Sequence, residues 1–263
     1  MKRFLVLMLV AVMALAAFAG CAQENGTQTD SEYVKEKGTL VVGITEFKPM
    51  DYKDENGNWI GFDADMASAF AESLGVKAEF VVIEWGSKIM ELNGKNIDCV
   101  WNGMTLNDEV LNGMETSNAY CKNAQVVVVP KDKADAYQSI EEMANLKFAV
   151  ESGSAGEKEL KALGYEYVGL TAQADALTEV KAGTSDACVI DLLMAGAMIG
   201  EGTSYEDLTY TLSLNSEEYG VGFRKGSDLA QMLNQFFVDS YNNGSLMTKA
   251  KEYGVQESII EQK

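Results

Sequence analysis

The 263-residue chain contains no histidine, only two prolines and, beyond Arg3, a single arginine, Arg224. Without histidine, every Ser–His or Cys–His relay, every imidazole metal ligand and the commonest general base are excluded. Positive charge is scarce as well: 21 Lys and Arg stand against 40 Asp and Glu, a formal charge of −19. A protein of that sign repels phosphate backbones and anionic lipid heads, so nucleic acid is not an expected partner. Cysteine is limited to four residues without CxxC spacing, which argues against a disulfide framework or a zinc site. Cys99, Cys121 and Cys188 read instead as small buried hydrophobes. No apolar run is long enough for a comfortable membrane span. The longest, Phe4 to Ala19, follows Lys2 and Arg3 and has the length of a secretory signal.

What is present points to a globular α/β protein. Hydrophobic residues make up 47% of the chain, enough to build one large domain or two lobes of roughly 100 residues each. Phe18-Ala19-Gly20-Cys21 resembles the end of a bacterial lipoprotein signal, in which the cysteine is lipidated and becomes the first residue; ordinary secretory cleavage near Ala19 is the alternative. Residues 1–20 are read as the signal and polar residues 21–31 as a flexible tether.

From Thr39 onward strands and helices alternate. Leu40–Ile44, Ala78–Ile83, Asp98–Trp101 and Gln125–Val129 have strand character, and Asn56-Gly57 marks a hairpin turn. Phe62, Met66, Phe70 and Leu74 recur every four residues on one helix face, and Gly75 stops it. A second round follows: strand Lys147–Val150, helix Ser154–Leu163, strand Glu166–Val168, helix Ala174–Ala182 and strand Ala187–Ile190. Strand Tyr219–Phe223 and helix Leu229–Asn243 complete the pattern. Two β/α rounds predict two α/β lobes, each with a largely parallel sheet covered by helices. Trp101, at mid-strand, reads as packing. The acidic run Asp54-Glu55 lacks the spacing of a calcium loop, and Gly153-Ser154-Ala155-Gly156-Glu157-Lys158 lacks the Gly-Lys-Ser/Thr ending of a nucleotide loop. Neither a metal nor a cofactor is expected.

Six segments, in order, carry a resemblance: Leu40-Val41-Val42-Gly43 with Phe47-Lys48-Pro49, Gly61 to Met66, Asn102-Gly103-Met104-Thr105, Val150 to Glu157, Cys188-Val189-Ile190-Asp191, and Tyr219 to Gly226. Between Thr39 and Gly254 the chain resembles the bacterial extracellular solute-binding proteins that serve polar amino-acid ABC transporters. The resemblance implies a two-lobed, periplasmic-binding-protein-like (type II) fold, with lobe 1 at 32–124 plus 224–263, lobe 2 at 130–218, and hinge strands 125–129 and 219–223. It implies a non-enzymatic importer component outside the cytoplasm, working with an ABC permease and closing on a polar amino acid or close derivative. The lipoprotein-like ending adds an anchor through Cys21, and the tether, with no long zipper or patch signature, predicts a monomer. An enzyme on the same fold would need a placed acid or base, which a histidine-free chain makes harder to supply.

Carried over by position, Phe47 and Trp85 would wall the ligand, and Asn102, Gly103 and Thr105 would contribute from the loop and strand end of lobe 1. Ser154 and Ala155 would offer the N–H groups of a helix N-terminus, with Glu151 beside them, and Asp191 would hold the ligand's α-ammonium. One departure matters. Relatives place an arginine, which clamps the ligand's α-carboxylate, where this chain has Val110. Either the helix N-terminus and Lys122 or Lys88 take over the carboxylate, or the ligand is a cationic amine or modified amino acid attracted by aromatic walls and by Glu46, Glu84 and Glu151.

Overall fold

The computed structural model describes residues 28–263; the segment read as a signal and Cys21 lie outside the described residues. Helix α1 (Asp30–Lys37) begins two residues inside the expected tether. A capping box starts it: Thr29 Oγ accepts the Glu32 N–H, and the Glu32 carboxylate accepts the Thr29 N–H. Arg224 Nε donates to Asp30, and both the N–H and Oγ of Ser31 donate to Asp228, so α1 is pinned to the far end of the chain. Arg224 also reaches Asp98 and the Ile97 carbonyl, which makes the lone arginine among the described residues a structural rivet.

Lobe 1 continues with β1 (Thr39–Ile44), the hairpin β2 (Tyr52–Lys53) and β3 (Trp59–Ile60), α2 (Phe62–Ser73), β4 (Lys77–Val82), a 3₁₀ turn at Trp85–Ser87, α3 (Lys88–Asn93), β5 (Cys99–Thr105), α4 (Asp108–Gly113), β6 (Glu115–Thr116) and β7 (Cys121–Asn123). Lobe 2 comprises β8 (Gln125–Pro130), β9 (Phe148–Glu151), α5 (Ala155–Leu163), β10 (Tyr167–Leu170), α6 (Gln173–Ala182), β11 (Ala187–Asp191), α7 (Leu192–Met198) and β12 (Leu208–Ser213). The chain then returns through β13 (Glu217–Phe223), α8 (Leu229–Asn242) and α9 (Ser245–Glu252) to lobe 1.

The lobe 1 sheet has the order β4-β1-β5-β13-β6, with β7 also paired to β13; the lobe 2 sheet is β10-β9-β11-β8-β12. In each, three parallel strands are extended by antiparallel ones. The crossings differ from the expected hinge strands. Segment 125–129 lies wholly in the lobe 2 sheet and segment 219–223 wholly in the lobe 1 sheet. The chain crosses at Ala124, between β7 and β8, and over Leu214–Ser216, between β12 and β13. The cause is the β7–β13 ladder, which pairs Glu217 with Asn123 and keeps both strands in lobe 1 up to that residue.

Packing follows the periodicity. Phe62, Met66, Phe70 and Leu74 are buried under α2, and Leu229, Leu233 and Phe237 under α8, while Phe236 is half-buried. Trp101 is fully buried, edge-on to Phe237 at 5.6 Å, so it packs and does not face a ligand. Cys99, Cys121 and Cys188 are buried and free.

Candidate functional site in the interlobe cleft

The lobe 1 wall is built at the C-terminal end of β5. Gly103 takes φ +54°, and a side chain there would collide with the Phe47 ring, so only glycine allows Phe47 to lie against the strand. Phe47 meets Tyr219 edge-on at 6.3 Å. Gly103 donates its N–H to Asp63, whose carboxylate also accepts the Tyr120 hydroxyl; burial pushes the Asp63 carboxyl up to about 7. Thr105, half-buried, ends the strand opposite Tyr219. Asn102 lies beside these residues in sequence, but its side chain is committed to the lobe interior. Its Oδ1 accepts from the Thr45 N–H and hydroxyl, and its Nδ2 donates to the Thr45 carbonyl and Asp51. It braces the wall from behind.

Trp85 is buried in its 3₁₀ turn, and the next helix opens on Lys88, the only buried lysine among the described residues. Lys88 Nζ sits 4.8 Å from the Trp85 ring centroid and donates to the Trp85 and Gly153 carbonyls, both at 3.2 Å. Burial lowers its pKa from the ordinary lysine value. Lys122, by contrast, is exposed on β7, and Glu46 and Glu84 are exposed. Val110 is not presented as a clamp position would be. It is 1% exposed, within the apolar cluster of Ile83, Trp85, Leu92, Met104 and Met114.

The opposite wall comes from lobe 2, at the end of β9 and the start of α5. Ser154 caps the helix, its Oγ accepting the Glu157 N–H, while Glu157 accepts the Gly153 N–H. The N–H groups of Ala155 and Gly156 have no protein acceptor among the described residues. Glu151 is 2% exposed, and its Oε1 has no hydrogen-bond partner among the described residues. Burial, then the neighbouring Asp191, push its carboxyl up to about 8, against the pull of Lys88.

Asp191, at the end of β11, joins this wall to the hinge. Its Oδ1 accepts from Tyr219 (2.5 Å), Gln125 (3.1 Å) and Asn123, and its Oδ2 from Gln173 (2.5 Å). Glu217 accepts from the same Asn123 and Gln125 amides. Burial and Glu217 push the Asp191 carboxyl up to about 8. Motif position alone gives Asp191 and Glu151 without these partners. Asn123, Gln125, Glu217 and Tyr219 belong to the site's framework because the two crossings converge there, and Gln173 joins them from the start of α6.

The lobes touch at the rim. A side chain on Gly153 (φ +78°) would meet the Gly86 Cα at 2.5 Å, so two glycine backbones abut across the cleft. Lys158 of α5 pairs with Glu109 (2.6 Å) and Asn107 (3.0 Å) of lobe 1. The structure is closed.

Two α/β lobes, joined by two chain crossings and shut on a cleft of aromatic rings and buried carboxylates, define a hinged solute-binding protein. The chain belongs to the bacterial extracellular solute-binding proteins, family 3, matched over residues 40–256. It is 29% identical over 260 residues to the arginine-binding extracellular protein ArtP of Bacillus subtilis, covering 96% of this chain and 98% of that one. Among solved structures it is similar to the P235GK mutant of ArgBP from T. maritima, with a TM-score of 0.80 and 31% identity over 86% of this chain and 99% of that one. An enzyme shares the likeness: the cyclohexadienyl dehydratase of Pseudomonas aeruginosa is 27% identical over 153 residues, 57% of each chain.

Proposed function

We propose that this protein is the extracytoplasmic receptor of an ABC importer and captures an amino acid with a cationic side chain. The observation that carries the reading is Glu151, a carboxyl sealed into the closed cleft with one oxygen unpartnered, near Asp191 on the lobe 2 wall, while lobe 1 contributes the Trp85 and Phe47 rings. A buried acid in that state is held largely neutral by desolvation, and a ligand cation restores its charge and completes its hydrogen bonds. Aromatic faces add to the attraction for a cation. The roles by position then follow. Phe47 and Trp85 flank the ligand, Gly103 and Thr105 offer main-chain and hydroxyl groups, and Asp191 and Glu151 face its positive groups. Ser154 and Ala155 present the start of α5. Cys21 is the lipid attachment point, and a permease receives the ligand when the cleft opens.

The names of ArtP and ArgBP agree in kind with this charge preference. A thermal-shift panel tests it. Arginine, lysine, ornithine and histidine at about 1,000 times their dissociation constants should each add about 4 kcal/mol of stability, and glutamate none. A panel in which only neutral or acidic amino acids shift the transition would refute the reading. Recovery of the bound ligand unchanged separates a receptor from a dehydratase-like enzyme.

A further inference from the structure

We propose that Lys88 holds the ligand's α-carboxylate, acting from lobe 1 together with the free N–H groups at the start of α5 in lobe 2, and so replaces the arginine absent at Val110. The inference rests on the amino-acid reading above and names the subsite for the carboxylate.

Several observations converge on Lys88. It is 3% exposed, yet among the described residues no carboxylate lies within ion-pair distance of its ammonium. Its two acceptors are backbone carbonyls at 3.2 Å, long for charge-assisted bonds. An ammonium buried on those terms costs stability. One of the two carbonyls belongs to Gly153, on the opposite lobe, immediately before Ser154 and the unpartnered N–H groups of Ala155 and Gly156. A carboxylate placed there meets an ammonium from one lobe and a helix N-terminus from the other. It bridges the lobes, so the same contact that recognises the ligand also holds the cleft shut. Glu151, with its free oxygen, lies on the same wall and is left for the ligand's side-chain cation. Lys122 cannot serve, being exposed on β7, and Val110 is enclosed by the lobe 1 core.

The test compares L-arginine with agmatine, its decarboxylated amine, in the wild type and Lys88→Met by calorimetric titration. The variant should lose at least about thirtyfold in arginine affinity while agmatine changes less than about threefold, the loss expected for a charge-assisted contact made by one ligand only. Lys88→Arg, which keeps the cation, should restore most of the arginine affinity. The ligand-free Lys88→Met protein should also melt higher than the wild type, because a desolvated charge has been removed; a merely structural lysine would give the opposite shift. Equal losses for arginine and agmatine, or none for arginine, overturn the proposal. If Lys88→Met does not fold, Lys88→Gln serves in the same comparison. Should the wild type prefer another amino acid, the cationic reading fails while the comparison of that amino acid with its own decarboxylated amine still decides the role of Lys88; a wild type that binds no amino acid overturns both.

Discussion

Glu151 and Asp191 place two carboxyls where water does not reach, and each is held at about 8, above the ordinary values of 4.5 and 3.8. Between the ordinary and the raised values the folded protein keeps protons that the unfolded chain has released. The ligand-free fold therefore loses stability as pH rises from about 4.5 to about 8. A ligand cation binds the ionised form, so affinity should rise over the upper part of that window, with protons released on binding. Scanning calorimetry of the ligand-free protein at about pH 5, 6.5 and 8 should show a falling melting temperature, and Glu151→Gln should flatten the fall. An unchanged slope in the variant would mean that Glu151 is ionised in the free protein. At this scale the sequence was partly legible. Glu151 and Asp191 stand in recognisable segments, but Asn102 stands in one too and turns inward to Thr45 and Asp51. Motif position says which residues are near a site; the direction of a side chain depends on polar partners 51 and 57 positions away.

At the scale of elements, the strand-to-helix turn from Ser152 to Ala155 presents the start of α5 and makes the glycine contact between the lobes. Gly153 has φ +78° and abuts Gly86 across the cleft. Gly153→Ala puts a methyl group against backbone and adds about 1 kcal/mol of left-handed strain. We expect a loss of ligand affinity of at least about tenfold, with the secondary structure retained. Gly86→Ala, whose methyl group meets only the Ser152 carbonyl at 3.7 Å and the Gly153 Cα at 4.0 Å, should change affinity far less. Equal effects would show that the glycine contact does not limit closure; titration of both variants with the same ligand decides. Helices with a four-residue apolar repeat, such as α2, were plain in the sequence. Helix α7, seven residues of small and apolar side chains, had no such repeat, and α4 had six residues and little amphipathy. The capping box from Thr29 to Glu32 straddles the end of the polar stretch read as tether, so it was not read as a helix start. The crossings at Ala124 and Leu214–Ser216 were not legible, because they are set by where the long-range β7–β13 ladder ends.

Across the whole molecule, the acidic hinge network and the rim contacts describe one closed state. The hinge amides Asn123 and Gln125 tie Asp191 of lobe 2 to Glu217 of lobe 1, and Lys158 spans the mouth to Glu109. Between them lie Lys88 and Glu151, an ammonium and a protonated carboxyl on opposite lobes; a zwitterion with an extra cation would join them and draw the proton from Glu151. The claim that charge, and not shape, selects the ligand is tested most directly by titrating the protein calorimetrically with L-arginine and with L-citrulline, which match in size and differ in side-chain charge. If a buried carboxylate reads that charge, arginine should bind at least about thirtyfold tighter, the equivalent of about 2 kcal/mol. Equal affinities, or a preference for citrulline, would contradict selection by charge.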